Sequence, residues 1–239
     1  MWTVDDFKRD REKQILAFGI VFFLLAFPLY FNSVAEGSSS SGLGSTGLYE
    51  VGGEITFVEL DSGMEYVASG ETWTIDDLHT DAIDGADDMN IVGVLVTLSY
   101  DEDETTSGGP TCAGPLGGQP AADTISGTIM HGQYNASANG NNDDAPASHT
   151  VESLWYNDSM NGEIVFLSES EIIAEIDADG AGLGAYSLEI TVDAEAGNTA
   201  GGALNPCDRE DNGEEVSYKI ELIVYDYSIA PFFDIGDIE

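Results

Sequence analysis

Apolar residues after Leu48 recur at every second position, and that period constrains the fold of this chain more than any other feature. In Tyr186–Val192, YSLEITV, residues Tyr186, Leu188, Ile190 and Val192 share one face while Ser187, Glu189 and Thr191 share the other. Val216, Tyr218, Ile220, Leu222 and Val224 repeat the pattern within 216–227. Successive side chains of a strand point to opposite faces, so each stretch predicts a strand buried on one side. Asn90–Tyr100, NIVGVLVTLSY, adds Ile91 and Leu95 between Val92, Val94, Val96, Leu98 and Tyr100, which predicts burial on both sides. Shorter strand candidates run over 54–60, 64–68, 123–130, 150–156 and 163–167, separated by gaps rich in Gly, Asn and Asp. Short strands at this spacing predict an antiparallel sandwich.

One helical interruption is expected. Ser168 and Glu171 have capping-box spacing ahead of Ile172, Ile173 and Ile176, which favours a short helix or 3₁₀ segment, although the same residues also read as a strand. Just beyond it, Asp177–Val192 reads DADGAGLGAYSLEITV: an Asp and Gly, a turn, then a Tyr opening an alternating strand. This resembles the E-to-F corner of immunoglobulin-like sandwiches and implies that the Tyr186 hydroxyl bonds back to upstream backbone. Leu188 stands where antibody domains carry their second inter-sheet cysteine, so the resemblance reaches the architecture and no named family. The expected class is mainly β, an antiparallel Ig-like or jelly-roll-like sandwich preceded by one N-terminal transmembrane helix.

That helix is read from 15–31, ILAFGIVFFLLAFPLYF, where twelve of seventeen residues are Ile, Leu, Val or Phe and none is charged. Each contributes about −0.3 to −0.6 kcal/mol at the bilayer centre. A soluble core helix would keep a polar face, which this run lacks. Lys8, Arg9, Arg11 and Lys13 all precede it, so the positive-inside rule places residues 1–14 in the cytoplasm as a basic tail and the C-terminal domain outside a cell membrane. Residues 15–35 are expected to remain as a single-pass signal-anchor; cleavage after Ser33-Val34-Ala35, with Pro28 ending the apolar region, is the alternative. The basic-Gly processing site of a pilin is missing from REKQILAF. Residues 36–47 contain SSSSGLGSTG and read as a flexible linker, leaving 48–239 as the exported domain.

Of 45 acidic and six basic residues, only Arg209 and Lys219 among the bases lie beyond the apolar run. The tail's four bases are cancelled by Asp5, Asp6, Asp10 and Glu12, so the exported part carries the whole net charge of −39. A surface of this sign repels phosphate backbones, which excludes nucleic acid as a partner class. Acid excess with scarce Lys resembles the proteins of salt-adapted archaea, where high ionic strength screens self-repulsion. Cys112 and Cys207 both sit in Gly/Pro-rich stretches. Outside the cell, two cysteines without a third read as one disulfide, and closing so long a span stabilises by roughly 4–5 kcal/mol.

No catalytic constellation stands out. Asp177 and Asp179 begin a calcium-type loop, but its fifth position is Ala181; turn chemistry explains the segment and calcium is the alternative, with further acids at 101–104 and 208–211. No other cofactor is expected. GAGLGA at 180–185 precedes a strand rather than a helix and so offers no dinucleotide site. His79, His131 and His149 stand apart and are expected on loops or the surface. Asn135 and Asn157 open sequons, Asn135 within an Asn/Gly-rich stretch expected as a loop, and are glycosylation candidates.

Anchor, linker, single sandwich and missing active site together resemble stator or envelope-adaptor subunits of archaea. That implies a membrane-tethered, non-enzymatic module binding a protein or glycan partner at the cell surface. A secreted carbohydrate-binding or hydrolytic sandwich and a calcium-stabilised adhesion domain are the alternatives.

Overall fold

The computed structural model describes residues 47–233 apart from 102, 109–111, 113–116, 143–145 and 200–206. The expected tail (1–14), membrane segment (15–35) and linker up to Thr46 lie outside the described residues. No helix among the described residues is long and apolar enough to cross a membrane.

Among the described residues, eleven strands and one α-helix occur in the order β1 (Gly47–Ala68), β2 (Thr72–His79), β3 (Ile91–Tyr100), β4 (Thr105–Ser107), β5 (Thr124–His131), β6 (Tyr134–Asn141), β7 (Ala147–Leu154), β8 (Ile164–Leu167), α1 (Glu169–Ile176), β9 (Ala185–Asp193), β10 (Asp208–Glu210) and β11 (Gly213–Pro231). Two antiparallel sheets form a sandwich: a five-stranded sheet ordered β7-β3-β11-β1-β8 and a four-stranded sheet ordered β2-β9-β5-β6. β4 and β10 make a separate two-stranded ribbon.

The inward sides of both sheets build the main core. Val94, Val96 and Leu98 of β3 and Ile220 and Leu222 of β11 pack with Ile125 and Ile129 of β5 and Leu188, Ile190 and Val192 of β9. These are the even-period residues of the alternating stretches, so the pattern chooses the buried face directly. β3 is buried on its other side too, because α1 covers the outside of the larger sheet: Val51, Val92, Ile223 and Tyr225 meet Ile172 and Ile176. A complete capping box starts α1, in which Ser168 Oγ accepts from the Glu171 amide and the Ser168 amide donates to Glu171 Oε2 at 2.8 Å.

Three strand expectations need correction. The candidates at 54–60 and 64–68 are one 22-residue strand, β1, because a bulge between Glu59 and Asp61 absorbs an extra residue where a turn was expected. β2 went unread, its apolar Trp73, Ile75 and Leu78 broken by a register shift between Ile75 and Leu78. β6 replaces the loop expected around Asn135: its period-two residues are small, with Ala136 and Ala138 packed on the core and Asn135, Ser137 and Asn139 outward. Gly140 continues that inner row, where a Cβ would lie 2.2 Å from the Tyr100 hydroxyl.

β6 and β7 pack against one another and close one side of the sandwich. On the other side β1 borders β8 only over Gly47–Glu50. From Gly53 to Tyr66 its outer edge meets no strand among the described residues.

Candidate functional site

β1 and β11 run antiparallel from the Tyr49–Pro231 pair to Ala68–Gly213, and the end of the sandwich near Ala68 and Gly213 is built from polar and covalent contacts. Cys112 and Cys207 are joined there, with Cα atoms 5.5 Å apart. Arg209 on β10 bonds Glu104 through Nε–Oε1 at 2.6 Å, both side chains nearly inaccessible at 8% and 0%. The Gly197 and Ala121 amides donate to the same carboxylate, and Arg209 Nη1 donates to the Gly117 carbonyl. One ion pair thus gathers four chain segments.

Beside it lies a group of carboxylates without such a partner. Asp103, Asp211 and Glu214 place one oxygen each within 4.8 Å of one another. Asp103 follows β3 and is exposed, Asp211 precedes β11, and Glu214 sits on its inner face, fully buried. Behind them Asp123, also fully buried, accepts the Glu195 amide at 2.8 Å. Its own amide donates to Asn142 Oδ1, and Asn142 Nδ2 donates to Glu214 Oε1 at 3.2 Å. Asp211 Oδ2, Glu214 Oε2 and Asp123 Oδ2 are buried with no hydrogen-bond partner.

Burial and mutual repulsion push these groups the same way. Burial first, then the charges of Asp123 and Glu215, raises Asp103. Asp211 is pushed up to about 6, chiefly by burial. Glu214 is pushed up to about 9 by burial and by Asp123, to which its protonated form can donate. Such a set is stable with a shared proton or with a bound cation. Its all-oxygen donors suit a hard ion, whereas both cysteines are spent on the disulfide.

The calcium candidates named from sequence lie elsewhere. Asp177 Oδ1 accepts the Asp179 amide at 2.8 Å, Asp177 Oδ2 accepts the Tyr227 hydroxyl at 2.6 Å, and Asp179 has a left-handed φ of 47°. The first is a turn contact and the second ties the turn to β11, and neither Asp177 nor Asp179 belongs to the cation-sized group found among the described residues. The acids at 101–104 and 208–211, named only in passing from sequence, supply Asp103 and Asp211; Glu214 was missed because it occupies an inward position in an alternating strand.

The Tyr186 hydroxyl donates to the Gly182 carbonyl at 2.7 Å. His131, expected on a loop or the surface, is instead buried: its ring stacks on Tyr186 at 4.0 Å, and its two nitrogens face the Ala185 and Ala181 carbonyls. His149 is half-buried on β7, its Nδ1 3.1 Å from the Tyr100 hydroxyl, and burial lowers its pKa. His79 is exposed and caps a 3₁₀ turn. Asn135 is exposed on β6, while Asn157 donates to Glu175 and accepts from Ser159.

The second feature is the open edge of β1. Ile55, Phe57, Met64 and Tyr66 are 39–59% exposed along it. Glu54, Glu59, Asp61 and Glu65 alternate with them. A groove of about 510 Å³ adjoins its inner face, lined by Glu54, Thr56, Val58, Met89, Val224 and Asp226 among others.

No protein-family model matches the chain, and no curated protein matches its sequence. Among solved structures, a chain in the cryo-EM structure of Mud crab tombus-like virus is similar over 77% of this chain and 84% of its own, at 7% identity and a TM-score of 0.19. A likeness that distant carries no argument about function.

Proposed function

We propose that this chain is a membrane-tethered interaction module of the cell envelope, without catalytic activity, that captures an extended segment of another protein by strand addition to β1. The open edge from Gly53 to Tyr66 carries the reading. Its fourteen residues span about 45 Å at roughly 3.3 Å per residue. An unpaired edge of this length is a template for another chain, which native proteins ordinarily shorten, cover or charge. Here exposed Phe57, Met64 and Tyr66 supply side-chain contacts and the interleaved carboxylates select the partner. A second copy would set like charges against one another, so the favoured occupant presents Lys or Arg on a strand with apolar residues between.

The tether rests on the sequence: tail 1–14 inside, helix 15–35 across the membrane and the sandwich, Ig-like by its tyrosine corner, outside. The Cys112–Cys207 disulfide supports an oxidising, extracytoplasmic location. Exposed Leu48, Phe166 and Phe233 lie at the end of the sandwich where residue 47 enters, which suits a place beside the membrane.

Photo-crosslinking groups at Phe57 and Met64 of the full-length chain in intact cells test the reading. They should trap one protein through a basic extended segment, whereas a probe at Ser137 on β6 should not. Ile55→Ser with Phe57→Ser should abolish the product. Equal trapping from Ser137, trapping of only a second copy, or glycan as the sole ligand would overturn it.

A further inference from the structure

We propose that Asp103, Asp211 and Glu214 form a binding site for one divalent cation of the Ca²⁺ type, held from behind by Asp123 and Asn142. None of these residues belongs to the open edge of β1. Three carboxylate oxygens from separate chain positions meet within 4.8 Å. Opposite ligands on one Ca²⁺ stand roughly 4.6–5.2 Å apart, given bond lengths of about 2.3–2.6 Å.

An acidic cluster alone would be unremarkable in a chain with net charge −39. What distinguishes this one is burial without partners. Glu214 and Asp123 are both at 0% exposure, yet with both ionised each leaves an oxygen with no donor, and Asp211 leaves a third. Unpaired buried carboxylates cost several kcal/mol apiece, and native structures pair such atoms or coordinate metals with them. The bases do not fill the role: Arg209 is held by Glu104 and Gly117, and Lys219 pairs with Glu221 and Glu59.

The surroundings also fit a built site. Asn142 fixes both Asp123 and Glu214, the kind of outer contact that orients metal ligands. Asp103 is exposed and gives the ion a route from solvent, with water completing the coordination. Oxygen ligands from two irregular segments and one strand suit Ca²⁺, which accepts 6–8 donors in flexible geometry, better than Mg²⁺, which demands near-ideal octahedral geometry.

The test titrates CaCl₂ into the full-length chain in detergent, with KCl holding ionic strength high and constant so that general screening is saturated. One saturable site should appear, with affinity about 10⁻⁴–10⁻³ M as in extracellular calcium modules, and Tm should rise with occupancy. Tb³⁺ should occupy the same site and be excited through half-exposed Tyr66, which feels the charges of Asp103, Asp211 and Glu214. Added Ca²⁺ should displace it. Asp103→Asn with Asp211→Asn should lose the calcium response while becoming more stable than wild type in chelator, a gain that a merely structural role would not give. Asp177→Asn with Asp179→Asn should keep the response. No calcium-specific rise in Tm, an equal rise with Mg²⁺ at matched ionic strength, or an unchanged response in the Asp103/Asp211 variant would overturn the proposal.

Discussion

The two ends of the sandwich are held by different physics. Where residue 47 enters and β11 finishes, α1 seals the outer face with Ile172, Ile176, Val51 and Tyr225, and the hydrogen bonds of Asn90 to Ile176, Tyr225 and Ala178 tie the layers. At the far end a disulfide, a buried ion pair and unpartnered carboxylates replace the apolar seal. The first end draws on area removed from water, which is indifferent to pH and strengthened by many salts. The second depends on protons and cations. A highly acidic domain can therefore keep one end constant while the other responds to its medium.

The largest effect that would sharpen this contrast is one of pH in chelator. Asp103, Asp211 and Glu214 all hold protons more tightly in the fold than in the unfolded chain. The stability they contribute is full below the ordinary carboxylate range and is lost as pH rises, through about 6 for Asp211 and about 9 for Glu214. The urea midpoint should fall between pH 5 and pH 9.5, and Glu214→Gln should flatten the upper part of that fall. Equal midpoints at both pH values would erase the distinction between the ends.

Arg209→Met comes next. Glu104 would be left charged at 0% side-chain exposure, a loss of about 3–5 kcal/mol, and adding Glu104→Gln, which removes the charge while keeping an acceptor for the Gly197 amide, should restore part of it. Denaturant unfolding of the single and double variants reads both. If the single variant cost under about 1 kcal/mol, the pair would behave as a surface contact and the far end would need another explanation.

Smallest is Ile172→Ala at the apolar end, about 2–4 kcal/mol from lost burial and a residual cavity. The decisive feature is its constancy: the same loss should appear at pH 5 and pH 9.5, with or without calcium. A loss that varied with either would show that the ends are coupled.

Much of this architecture is legible in the sequence because large residues mark a buried face plainly. β3, β9 and β11 follow from Val, Ile and Leu at alternate positions, and α1 from Ser168 and Glu171 three apart. β6 has the same alternation written in Ala and Gly, chosen because Gly140 lies against Tyr100 and His149, and small residues carry no hydrophobic signal. The carboxylate group is harder still to see. Asp103, Asp123, Asp211 and Glu214 are ordinary acids among 45, and only the pairing of β3 with β11 and the Asn142 contacts bring them together. His131 is hidden for a related reason, since its burial depends on stacking against Tyr186 from another strand.

The pairing of β1 with β11 has a mechanical consequence. Because the strands run antiparallel from Tyr49–Pro231 to Ala68–Gly213, tension entering β1 at residue 47 and resisted on β11 at Gly213 would load the whole ladder of hydrogen bonds in shear. Those bonds would have to fail together, over a length of roughly 60–70 Å at about 3.3 Å per residue. Tension between residues 47 and 231 would instead peel the same ladder one pair at a time. The domain is thus stiff toward a load at its far end and weak toward one that separates its two terminal strands, so the point at which a partner grips it sets the force it can bear.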